Sequence, residues 1–205
     1  MNKTYVLCAL FLLAGCGRKE AVFQGKPTSY WVKQLKGINN EARVEAAGTL
    51  GQIGVEGMPA LRQALADGNS ALRAAAADAL GVMGPDAKGA KAALTLALKD
   101  EDTAVRQRAA CALGRIDPHD AAVVPPLVAL LKDQDVEVRR QAALALGRLG
   151  PTAKDAVSAL DEACKDADSQ FKILLREAIQ RINLEIPVNS MINSSEPGGA
   201  KSPPG

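Results

Sequence analysis

SALRAAAADALGVMG at residues 70–84 aligns without gaps to TAVRQRAACALGRID at 103–117, VEVRRQAALALGRLG at 136–150 and SQFKILLREAIQRIN at 169–183. Successive offsets are 33 residues, and an earlier copy, EARVEAAGTLGQIG at 41–54, sits 30 before the first of these four. A period of this length marks an array whose units bury their apolar faces against one another. In the copy at 103–117, Val105, Ala109, Leu113 and Ile116 recur at helical spacing and form one face. Abundant alanine favours helix and permits close helix approach.

Start and stop signals repeat with the pattern. Asn39, Asn69, Asp102, Asp135 and Asp168 each stand four residues before a common basic position, where a side-chain oxygen can accept from an orphan N–H of the first turn. Each copy ends near Gly54, Gly84, Asp117, Gly150 or Asn183, and Pro85, Pro118 and Pro151 follow three of these ends, where a helix cannot continue. A further helix is expected before each copy, at 28–36, 58–66, 87–99, 124–132 and 153–165. Pro125 and Pro126 suit the first turn of the fourth, where missing N–H groups cost least. The chain therefore reads as about five helix–turn–helix units over 28–184.

The pattern resembles HEAT repeats, particularly the bacterial type named after phycobilisome lyase subunits. The residues that carry the resemblance are Asp67, Asp100, Asp133 and Asp166, each six before Arg73, Arg106, Arg139 and Lys172. The Ala-Leu-Gly triplets ending at Gly81, Gly114 and Gly147 complete it. The resemblance implies an all-α fold, a right-handed α-solenoid (superhelix) of HEAT-like repeats. It also implies a ladder in which each Asp bonds an Arg of a neighbouring repeat. The ends depart from the pattern: Gly37 stands for the first ladder Asp, Lys172 for the last Arg, and Gln180 for the helix glycine. Terminal repeats lack one neighbour and are often atypical. Tyr30 and Trp31 could cover the N-terminal core edge. Ile173 and Leu174 stand where other copies are polar. They await cover from Leu184, Ile186, Val188, Met191 and Ile192, from a partner or second copy, or from a rotation of the helix.

Before the array, Lys3 precedes a short apolar run from Val6 to Leu13, too short to span a bilayer but suited to a signal peptide. The run ends in Leu13-Ala14-Gly15-Cys16, which resembles a bacterial lipobox. That resemblance implies cleavage after Gly15 and a lipid on the Cys16 thiol. With Gly17 next, it also implies an exported protein anchored to the outer membrane and facing the periplasm. Residues 1–15 are then the signal peptide, 16–27 a lipid-anchored tether, and 185–205 a C-terminal segment ending in a polar, largely disordered tail.

Composition narrows the chemistry. Of 205 residues 47% are apolar but only 3% aromatic, and 25 Lys and Arg face 23 Asp and Glu. Few aromatics and a near-neutral balance oppose nucleic-acid binding. The one histidine, His119, cannot build a multi-histidine metal site; beside Asp120 it reads as a solvated loop residue with no nucleophile near in sequence. Cys164 occupies a slot held elsewhere by leucine and is expected to be buried; Cys111 lies two units away, too far for a disulfide. The acidic loops at 100–102 and 133–135 lack the glycine turn and distal Glu of a calcium loop. Neither a metal nor a cofactor is expected, apart from the lipid on Cys16.

Arg115, Arg148 and Arg181 recur every 33 residues on the solvent side of the second helices, with Arg108 and Arg140 one or two turns earlier. Gln52 and Val82 end that series toward the N-terminus. Second helices usually line the concave face in this fold class. The five arginines are thus the candidate contacts for a protein partner, and arginine at a helix end is also favoured by the helix dipole alone. The expected function is a non-enzymatic, membrane-tethered scaffold. The alternative is a lyase-like enzyme or chaperone acting on a tetrapyrrole–protein attachment.

Overall fold

The computed structural model describes residues 20–184. Helices α1 (Thr28–Leu35) and α2 (Asn40–Ile53) form the first pair, α3 (Met58–Ala64) and α4 (Ser70–Met83) the second. The third is α5 (Lys91–Ala97) with α6 (Thr103–Ile116), the fourth α7 (Val124–Leu130) with α8 (Val136–Leu149), and the fifth α9 (Val157–Ala163) with α10 (Ser169–Asn183). The second helices stack in chain order, α2 on α4, α4 on α6, α6 on α8 and α8 on α10. This is the expected α-solenoid of five helix pairs.

All five expected caps form. Asn39 accepts from the Ala42 N–H, Asn69 from Leu72, Asp102 from Ala104 and Val105, Asp135 from Glu137 and Val138, and Asp168 from Phe171. The core is one continuous cluster. Leu50, Leu80, Leu113 and Leu146, at one repeat position, are fully or almost fully buried. Each second helix places a glycine on an alanine of the next. A Cβ built on Gly114 would lie 2.7 Å from the Ala145 Cα, and one on Gly147 3.1 Å from the Ala178 Cα. Backbones this close put the axes at the short end of the usual range of about 8–10 Å.

Two first helices are shorter than the sequence suggests. The stretches expected as helix from 87 and 153 open as 3-10 turns, Gly84–Ala90 and Gly150–Ala156, and α-helix begins only at Lys91 and Val157. Gly84 and Gly150, at φ +57° and +55°, end the preceding helices in a backbone region that favours glycine. The prolines that follow lack the N–H an α-turn would use.

The N-terminal edge is closed by a hairpin. Strands β1 (Val22–Phe23) and β2 (Lys26–Pro27) pair antiparallel. Glu56 accepts from the Ala21 N–H and the Thr28 hydroxyl, both at 2.9 Å. The Trp31 indole donates to the Phe23 carbonyl, and its side chain is buried. Residues 20–27, expected to belong to a tether, are therefore docked on the first repeat. Trp31 covers the core edge as expected, while Tyr30 is exposed and packs edge-on against it. At the other end Leu174 packs against the core, whereas Ile173 is 57% exposed. The signal peptide, Cys16, and the residues at 186–192 considered as cover for Ile173 lie outside the described residues, as does the tail.

Candidate functional site

The ladder and the outer face of the second helices are the two places where charge is organised along the repeat. In the ladder, Arg73 Nε and Nη2 donate to both oxygens of Asp100 at 2.8 and 2.7 Å. Arg106 does the same to Asp133 at 2.8 and 3.0 Å. The third guanidinium nitrogen turns back into its own repeat, Arg73 Nη1 to the Asp67 and Gly68 carbonyls and Arg106 Nη1 to those of Asp100 and Glu101. Each Asp also accepts the N–H two residues on, from Asn69, Asp102 or Asp135. Each guanidinium nitrogen and each carboxylate oxygen of these two rungs thus has at least one partner, as charges withdrawn from water require. Burial by itself would raise the carboxyls of Asp100 and Asp133. The Arg bonds and the backbone N–H outweigh it and hold both below the ordinary carboxylate value.

The ladder differs from expectation at both ends. Arg43 supplies a rung to Asp67 that the sequence did not reveal, with its Nε anchored on the Leu35 carbonyl. It stands 24 residues before its partner instead of 27, because the first connection is three residues shorter. Arg139 keeps its backbone bonds to the Asp133 and Gln134 carbonyls but forms no ion pair with Asp166. The cause is loose packing of α9, which buries only Leu160 where α7 buries Val124, Leu127 and Leu130. A groove of about 640 Å3 remains between these helices, with Arg139 and Asp166 both on its lining. Lys172 makes no ion pair among the described residues; no further described repeat offers it an Asp.

The five candidate contact arginines separate into two groups. Arg108 is paired with Asp78 of α4, the preceding second helix, at 3.1 Å. Arg140 pairs with Glu137 at 2.6 Å and reaches Asp168, the cap of the next second helix, at 3.5 Å. One repeat earlier Gln107 reaches the Asp135 cap in the same way, at 3.3 Å. Arg140 is therefore part of a second inter-repeat brace, which sequence position alone did not disclose. Arg115, Arg148 and Arg181 form no ion pair among the described residues. They stand at one position in α6, α8 and α10, and Arg148 donates only a weak 3.8 Å contact to the Cys111 sulfur.

The remaining candidates carry structural duties. Asp120 receives the Lys91 ammonium at 2.6 Å and caps the Ala122 N–H, so its carboxylate is committed away from a dyad with the exposed His119. Lys91 also bonds Asp117 at 3.2 Å and so pins this inter-repeat loop to α5. Asp102 and Asp135 serve as caps. Cys111 and Cys164 are both free thiols, and Cys164 is half-buried instead of fully buried because α9 packs loosely. Among the described residues no group of three or more His, Cys, Asp or Glu could hold a metal ion. No helix there is long and apolar enough to cross a membrane.

Residues 28–97 and 90–180 match the family model described as HEAT repeats. No curated protein matches the chain. Among solved structures, an engineered protein is 26% identical over 76% of this chain and 78% of that one, with a TM-score of 0.63. A designed armadillo repeat protein in complex with the peptide (KR)4 is 19% identical over 76% and 82%, with a TM-score of 0.62. The complex of CpcE and CpcF of phycocyanin lyase from Nostoc sp. PCC7120 is 21% identical over 74% and 96%, also at 0.62. The last two likenesses are of fold alone.

Proposed function

The chain belongs to the HEAT repeat family, and from that premise we propose that it is a non-enzymatic scaffold, tethered to a membrane through Cys16, that binds a protein partner along the face of its second helices. The observation that carries this is the register of that face. Five stacked helices present the same solvent-facing positions in order, giving an extended surface of the kind solenoids use for binding. The designed armadillo protein of similar fold holds a peptide, and CpcE is found in complex with CpcF. The lipobox-like Leu13-Ala14-Gly15-Cys16 supports the tether, since two or more acyl chains anchor a protein stably. A role like that of the lyase rests on fold likeness only.

Site-specific photo-crosslinking in cells tests the binding face. A crosslinker at Gln141 on α8 should capture a discrete partner that one at Ala129 on α7 does not. Capture from Ala129 alone, or from neither site, would overturn the assignment. Separately, Cys16→Ser should move the protein from the membrane fraction to the soluble one.

A further inference from the structure

We infer that Arg115, Arg148 and Arg181 form a column that binds an acidic segment of the partner in an extended, polyproline-like conformation, with a carboxylate at every third residue. This rests on the second-helix face being the binding face. Three observations lead to it. First, the three arginines hold one position in successive helices and have no carboxylate partner among the described residues, whereas Arg108 and Arg140 are already paired. Second, the glycine–alanine contacts between α6, α8 and α10 fix the ridge spacing near the short end of about 8–10 Å. A polyproline II chain rises about 3.1 Å per residue with three residues per turn, so every third side chain returns to one face after about 9 Å. The polyproline period exceeds that ridge spacing by only about 1 Å per step, which the long arginine side chains can absorb, and each guanidinium can take one carboxylate in its planar fork. Third, the half-buried Leu144 and Leu174 share this face, which suits a peptide with apolar residues between its acids better than a uniformly charged polyphosphate.

The column also has a chemical direction. Gln52 and Val82 hold the same position in α2 and α4, so the cationic part covers only the last three repeats. The occupant therefore needs about three acids, at i, i+3 and i+6. Anchoring of these arginines by the helix dipole would stabilise the protein without selecting any ligand.

The test is fluorescence anisotropy of labelled peptides with the full chain purified in detergent. One peptide carries Glu at every third position with Pro and Leu between; controls replace Glu by Gln, or place three Glu side by side. The i, i+3 peptide should bind at least ten times more tightly than either control. The combined variant Arg115→Gln, Arg148→Gln, Arg181→Gln should lose at least tenfold while keeping its helicity. Arg108→Gln should change affinity less than twofold. Equal binding of the Gln peptide, an unaffected triple variant, or tighter binding of polyphosphate at matched charge would overturn the inference. If crosslinks from Gln141 persist in the triple variant, the binding face stands and only the acidic column fails. If they are absent in the parent protein, the face itself fails.

Discussion

Arg106 holds Asp133 through two hydrogen bonds, at 2.8 and 3.0 Å, while Arg139, one repeat on, forms no ion pair with Asp166. The closed rung is well withdrawn from water, the two side chains being 7% and 10% exposed. Removing one partner strands the other charge, which costs about 3–5 kcal/mol for a buried pair. Asp133→Ala should therefore lower stability by about 3 kcal/mol, whereas Asp166→Ala, which breaks no described ion pair, should change it by less than about 0.5 kcal/mol. Urea unfolding followed by circular dichroism measures both. Equal losses in the two variants would show that the last rung closes in solution.

The same carboxylates set the acid limit. Asp67, Asp100 and Asp133 are held below their ordinary values in the folded protein. A depressed folded value means stability that is fully present above the unfolded value, about 3.9, and is lost as pH falls through the folded one. Helicity should hold from pH 7 to about 5 and fall below about 4. In Asp100→Asn the protein is weaker at neutral pH, and its stability should vary less between pH 5 and 3. An unchanged pH slope in that variant would remove Asp100 from the account.

The caps, the Ala-Leu-Gly face and the middle rungs were legible because each is local and repeats with the period. Asp102 caps its own helix, and the 27-residue step from Arg73 to Asp100 recurs from Arg106 to Asp133. The Arg43 rung was hidden by three residues missing from the first connection. The open Arg139 rung depends on how tightly α9 packs, which no single residue announces. Arg140 looked like a solvent-facing cation because its inter-repeat partner, Asp168, comes near only once the next repeat is stacked, beside the local pair with Glu137. The hairpin was read as linker because its strands are two residues each, and a Gln24-Gly25 turn with positive φ at both residues is a weak signal beside a 33-residue repeat.

Glycine at two helix positions should respond oppositely to alanine. A Cβ on Gly48 of α2 meets nothing within 4 Å, so Gly48→Ala should gain about 0.5–1 kcal/mol from helix propensity. A Cβ on Gly114 would lie 2.7 Å from the Ala145 Cα and 2.9 Å from its Cβ. Neither can yield without separating α6 from α8, and overpacking of this kind costs about 1–3 kcal/mol. Gly114→Ala should therefore lose stability despite the better propensity. Thermal melts of the two variants should move in opposite directions.

Trp31, the only tryptophan, reports on the N-terminal edge of the array. It is 8% exposed, roofed by the hairpin, and its indole bonds the Phe23 carbonyl. The hairpin is tied to the next connection by Glu56, which accepts from both Ala21 and Thr28. Glu56→Ala removes both bonds, so the hairpin should loosen and the indole should meet water. Its fluorescence should shift to longer wavelength while far-ultraviolet helicity changes little. Because repeats couple only to neighbours, unfolding followed by this fluorescence should then precede unfolding followed by helicity in the variant. Coincident transitions with an unshifted emission maximum would mean that the hairpin holds without Glu56.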